Sequence, residues 1–271
     1  MRTAGWRSAP LEAERRVFDE IIVRAVARRF HRNVTDELLD GIAAAAGCAA
    51  VGRLCLLDDA MMHELAARGG FLQSESLLDI GCGRGFLARW LRLSGYAGHY
   101  TGIDRIGDAV VATRRAVPGA EIVEADFRKH PWHQQFDAIV ALESVGSSLD
   151  DDGARAFASA VSAAGTVTLT SCSLAGNAAA RTARLRQTAR SHFAEIAISD
   201  WSAEAASFAR KLYRALLGAQ LPGEIVDRSR YEAESVLAAI SQRRFSYLVA
   251  FASGPLARDD VVAKGSLAQG L

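Results

Sequence analysis

Four acids in this chain stand close to the ends of apolar runs, and the first is followed by three glycines at alternate positions. Leu77-Leu78-Asp79-Ile80-Gly81-Cys82-Gly83-Arg84-Gly85-Phe86 reads as a strand that turns sharply into a helix. Glycines so spaced let the backbone take conformations a Cβ forbids and let a ligand approach the main chain, while the next helix offers free N–H groups. Asp79 sets the sign of what binds: a phosphate is repelled there and an ammonium group is held. The dinucleotide fingerprint G-x-G-x-x-G needs its third glycine one place later, and that place is Phe86. His99-Tyr100-Thr101-Gly102-Ile103-Asp104 ends in an acid where a ribose-binding carboxylate is expected, about twenty residues beyond the glycines. Two further runs, Glu121 to Phe127 and Phe136 to Ser144, close on Asp126 and on Glu143-Ser144.

The run D-x-G-x-G-x-G resembles the first motif of class I S-adenosylmethionine (SAM) dependent methyltransferases, and the likeness covers roughly Ser76 to Asp150. It implies SAM as the cofactor. Gly81, Cys82, Gly83 and Gly85 would form the cofactor turn, with Asp79 on the methionine ammonium. Asp104, beside Arg105, would take both ribose hydroxyls. Asp126, flanked by Ala125 and Phe127, would take the adenine amino group, and Phe127 or Ile103 would pack on the ring unless they serve as core. Leu142-Glu143-Ser144 would face the transferred methyl group. The E-S ending resembles small-molecule methyltransferases that read E-S-x-x-H-x-x-D, whose histidine is a general base. Glu143, Ser144 and Asp150 match, but Ser147 occupies the histidine position. The proton of an oxygen acceptor then needs another taker: Glu143 is first by position, His63 is a second candidate, and His130, His133 and His192 read as structural or cannot be placed.

The elements that must hold these residues follow from periodicity. Strands are expected over Thr166–Thr170, Phe193–Ile198 and Phe245–Phe251, besides the four named above. The resemblance makes this a Rossmann-like, seven-stranded, mostly parallel sheet with helices on both faces and the last strand inserted antiparallel. Upstream, apolar residues recur at three and four from Leu11 to Phe30, from Thr35-Asp36 to Ile42 and from Leu57 to Arg68, which predicts three helices, with Gly69-Gly70 ending the third. Residues 1–70 are therefore read as a helical cap over the pocket and residues 71–253 as the cofactor domain. Residues 202–244 are read as a two-helix lid jointed at Leu221-Pro222-Gly223, and residues 254–271 as a loose tail. Trp201, Phe208, Tyr213 and Tyr231 are candidates for the acceptor wall. An alanine-rich helix carries Arg181, Arg184, Arg186 and Arg190, which suit a carboxylate, a phosphate or a solvated face.

With 271 residues, half of them hydrophobic, and a net charge of +1, the chain has enough apolar mass for a full core. Such a balance does not suggest nucleic acid as a partner. No stretch has the length of a membrane span, and the N-terminal stretch lacks the apolar run of a signal peptide. Four cysteines without metal-ligand spacing suggest reduced thiols and no metal. The expectation is a cytoplasmic monomer or homodimer that methylates a small molecule, in bacterial secondary metabolism. An RNA or protein methyltransferase is the second reading, favoured by the arginine helix and opposed by the absence of an N/D-P-P-Y type motif. A SAM-fold protein that binds or cyclises without methylating is the third.

Overall fold

A computed structural model describes residues 34–52, 55–145, 149–219 and 223–256, with the side chains of 223–230 and 232 excepted. The helix expected over Leu11–Phe30, the histidine position at Ser147, the joint at Leu221-Pro222 and the end of the tail lie outside those residues. In chain order the elements are α1 (Asp36–Ala45), α2 (Asp59–Gly69), β1 (Ser76–Ile80), α3 (Phe86–Leu93), β2 (His99–Asp104), α4 (Gly107–Ala116), β3 (Glu121–Glu124), β4 (Phe136–Ala141), α5 (Asp151–Ala160), β5 (Val161–Ser173), α6 (Ala178–Arg190), β6 (Phe193–Asp200), α7 (Ser202–Gly218), α8 (Gly223–Ser241) and β7 (Ser246–Pro255). They build one sheet of order β3-β2-β1-β4-β5-β7-β6. β1 to β5 run parallel, and β7 lies antiparallel between β5 and β6. This is the expected seven-stranded Rossmann-like arrangement.

The strands alternate their apolar residues between two cores, because successive side chains point to opposite faces. Leu77 and Tyr247 face a layer made by α1, α2, α3, α4, α7 and α8, whose contributions include Ile42, Met62, Leu65, Trp90, Val110, Phe208, Leu212 and Ile240. Leu78, Ile139 and Ala250 face the opposite layer, closed by Phe157 of α5 and Leu185 of α6. Local chemistry fixes the helix ends. Thr35 accepts from Leu38 N at 3.2 Å to start α1, and Asp58 accepts from Met61 N at 2.8 Å to start α2. Gly70, at φ 68°, takes the left-handed conformation that ends α2.

Three boundaries differ from the expectation. The helix α5 stops at Ala160, and β5 begins at once, ahead of the strand start expected at Thr166. Its residues 162–165 bulge, so that Phe136 pairs with Val161 and Ala138 already pairs with Thr166. β3 ends at Glu124, so Ala125-Asp126-Phe127 have left the sheet. β7 continues to Pro255, where it pairs with Phe193, so the strand runs past Gly254, where the tail was expected to begin. The two helices expected over 202–244 are present as α7 and α8. Trp201, Phe208 and Tyr213 are buried in the core of that layer, and Tyr231 is exposed.

Candidate active site

The glycine turn is tied down from β2. Gly81 N and Cys82 N both donate to Ile103 O, at 2.7 and 3.1 Å, and Gly85 N donates to Cys82 O at 2.9 Å. At Gly81 a side chain is doubly barred: φ is 76°, and a Cβ would lie 2.3 Å from the Cβ of Ser144. Ser144 donates its hydroxyl to Ile80 O at 2.5 Å, so the ends of β4 and β1 meet across this glycine. Gly83 differs. Its φ of 55° favours glycine, yet a Cβ there would meet nothing nearer than Gly81 O at 3.9 Å, so the turn faces open space at this residue.

Two carboxylates converge on the turn. Asp104 accepts from Gly83 N at 3.0 Å through Oδ2 and from Ile106 N at 2.9 Å through Oδ1, which anchors the end of β2 against the glycines. Asp79 is only 3% exposed and accepts the Tyr100 hydroxyl at 2.7 Å on Oδ2. Among the described residues nothing bonds its Oδ1. Burial pushes its carboxyl up to about 7, with the Asp104 charge adding to the rise and the Tyr100 hydrogen bond opposing it. A buried carboxylate with that balance stabilises a cation brought beside it, because the cation removes the cost of ionisation. Cys82 is different in kind: burial and the neighbouring Asp79 and Asp104 charges push its thiol well above the usual range, so it fills space beneath the turn, next to Gly102.

The far end of the crevice is the turn after β4. Glu143 has φ 52°, an uncommon conformation for a residue with a side chain. Its N–H donates to Thr170 Oγ1 at 2.9 Å, and its Oε1 accepts from Leu56 N at 2.6 Å and from the Tyr247 hydroxyl at 2.8 Å. Two segments remote in sequence thus hold one carboxylate, and a third holds the backbone behind it. The segment before α2 is drawn onto the sheet by it. A second tie joins the cap to the glycine turn: Arg84 donates to Asp36 Oδ1 through Nε at 3.1 Å and Nη2 at 2.8 Å, and Arg89 lies 3.7 Å from Asp36 Oδ2.

Residues 77–166 match the family model described as a methyltransferase domain. These residues are a methyltransferase domain. A trans-aconitate 2-methyltransferase of Klebsiella pneumoniae is 33% identical over 82 residues, which is 30% of this chain and 32% of that protein; the chain spans about a third of the curated relative it matches. The fold is like that of a Haemonchus contortus phosphoethanolamine N-methyltransferase solved with S-adenosyl-L-methionine, at a TM-score of 0.62 and 15% identity over 73% of this chain and 53% of that one. It is also like the [4+2]-cyclase SpnF, at 0.61 and 20% identity over 86% of this chain and 97% of that one.

Within the methyltransferase domain the structure brings Asp79, Gly81, Gly83, Gly85, Asp104, Ser144 and Glu143 around one crevice at the carboxyl ends of β1, β2 and β4. Ala125 N donates to Asp104 O at 3.0 Å, which holds the residue after β3 beside the same edge. Asp126 next to it already accepts from Arg128 N at 3.1 Å. Arg105 is exposed, and Leu142 is half-buried against the α1–α3 core. Three of the expected residues have close neighbours within the protein. Phe127 is buried with its ring stacked on Phe157 at 5.2 Å, so it serves the core of the α5–α6 face rather than a ligand ring. The Cys82 side chain is buried under the turn and belongs to the core on the opposite face. His63 is exposed, its Nδ1 2.7 Å from Asp59 O and its ring edge-on to Trp90 at 5.1 Å; a helical residue one turn into α2 points to the α2–α3 seam, and no described contact joins it to Glu143. Tyr100, Tyr247, Thr170 and the Leu56 amide were not anticipated. Tyr100 follows from the register: Asp79 pairs with Gly102, so Tyr100 is a diagonal neighbour on the same face, within reach of a long side chain.

Proposed function

We propose that the chain binds SAM in this crevice and transfers its methyl group to a small-molecule acceptor. The observation that carries the reading is the pair of carboxylates on either side of a glycine turn whose open face is at Gly83. Asp79 would hold the ammonium group through Oδ1, with Tyr100 steadying the other oxygen. Asp104 would take the ribose hydroxyls alongside its hydrogen bond from Gly83, and Asp126 the adenine amino group. SAM, when bound, supplies a methyl group on a positive sulfur, ready for an in-line nucleophile. The protein's own share is placement and the exclusion of water, which supply most of the rate in such a transfer. Glu143, fixed by Tyr247 and Leu56 at the end of β4, would orient the acceptor's hydroxyl or amine or take its proton. The named substrates of the relatives, trans-aconitate and phosphoethanolamine, support a small molecule, and the cap and the α7–α8 pair support an enclosed one of the secondary-metabolic kind.

A non-methylating function is the second reading, favoured by the likeness to a cyclase along almost its whole length and by a Glu143 whose Oε1 is already engaged twice. Calorimetric titration with SAM tests the first step: binding is expected, lost in Asp79→Ala and weakened in Asp104→Ala, and unchanged affinity in both variants would remove the cofactor assignment. Release of S-adenosylhomocysteine in the presence of candidate acceptors separates methyl transfer from the alternative.

A further inference from the structure

The α6 arginines form a second feature, on the other side of β5 from Glu143. A cavity of about 230 Å³ is lined by Leu149, Ser171, Asn177, Arg181, Arg184 and Leu248, among others. Arg181 is half-buried, and its hydrogen bonds go to neutral oxygens only: the hydroxyls of Ser171 and Ser246, the latter at 2.6 Å, and Ser246 O at 3.4 Å. Asp200 acts on it only from a distance, its Oδ1 being taken by Ser202 N at 2.9 Å. Arg184 is exposed and makes no ion pair with any described residue. The first turn of α6, which opens into the same cavity at Asn177, carries no acid. Two guanidinium groups and the positive end of a helix therefore share one hollow without a compensating carboxylate among the described residues, and apolar Leu149 and Leu248 complete its wall. Guanidinium forks and helix N-termini both favour oxyanions.

We propose that this cavity is an anion-binding subsite that takes a carboxylate or a phosphate monoester carried by the acceptor. Its neighbourhood supports that source. Ser171, on the cavity side, directly follows Thr170, which anchors Glu143, and Leu149, six positions after Glu143 in the sequence, lines the cavity. The link to the acceptor rests on the methyl-transfer reading, whereas the anion site itself does not.

The test is calorimetric titration of the full chain at low ionic strength with inorganic phosphate and, separately, with succinate. Saturable binding of at least one is expected, about tenfold weaker in Arg184→Gln and lost in Arg181→Gln. It should be unchanged in Arg190→Gln, which removes an arginine of the same helix outside the cavity lining. The tighter of the two probes names the anionic group. Arg184 is exposed, so its variant reports even if Arg181→Gln fails to fold. Absence of saturable binding by both probes, or equal weakening in Arg190→Gln and Arg184→Gln, would overturn the subsite. Titration with SAM on the same samples keeps the two ideas apart. SAM binding with no anion binding sinks the subsite alone, while anion binding without SAM binding leaves the anion site standing and removes its link to an acceptor.

Discussion

At the scale of single residues, burial governs the behaviour of Asp79. With its carboxyl pushed up to about 7, it is largely protonated at pH 6 and ionised at pH 8, so a cationic ligand binds more tightly as pH rises through that window. SAM affinity is expected to climb several-fold between pH 6 and 7.5, read by calorimetry, and Tyr100→Phe should move the rise to higher pH because a hydrogen bond to the ionised form is lost. The same shift has a cost for the empty protein. A raised carboxyl destabilises the fold as pH climbs from the unfolded value of 3.8 toward 7, since the unfolded state ionises first. Asp79→Asn should therefore raise the melting temperature at pH 8 while abolishing SAM binding. Glu143 is expected to act on turnover instead: Glu143→Gln should cut turnover more than SAM affinity, and equal kinetics would remove it from the mechanism. Asp79 and Asp104 were legible in the sequence as acids at strand ends. The Tyr100 partner of Asp79 was not, because it depends on register, nor was the Tyr247 partner of Glu143, which lies on a strand over a hundred residues away.

At the scale of elements, the tie between α1 and the glycine turn is the contact to probe. Arg84 is almost fully covered, and Asp36 accepts from its guanidinium at 2.8 Å. Asp36→Ala would leave a buried guanidinium without its carboxylate, a loss of about 1–3 kcal/mol and a drop of roughly 2–8 °C in melting temperature for a chain of this size. Because Arg84 stands between Gly83 and Gly85, SAM affinity should fall with it; a variant that melts earlier yet binds SAM as before would show that the cap and the turn are independent. Helix existence was readable from spacing of three and four, and the ends at Thr35 and Gly70 from residue type. The β5 bulge was not, because a strand's start depends on which neighbour it pairs with rather than on its own residues.

At the scale of the whole molecule, the sheet separates two layers with different roles. The α1, α2, α3, α4, α7 and α8 side carries the ties to Arg84 and Glu143, and the α5–α6 side carries the arginine cavity. Saturation with SAM should slow hydrogen exchange in α1, α2 and the Leu56 amide and leave α5 unchanged; protection spread evenly over both layers would contradict a cofactor held by the cap side. The amino-acid sequence by itself determined the order of strands and helices, the glycine turn and the acids beside it, because each depends on periodicity or on backbone freedom within a few residues. Only the tertiary structure decided that Phe127 and Cys82 belong to the core, that His63 leans on Trp90, and that Glu143 is gripped by Tyr247 and Leu56. Those outcomes rest on which surfaces meet across the sheet, and a side chain's surroundings, unlike its periodicity, are supplied by residues far from it in the chain.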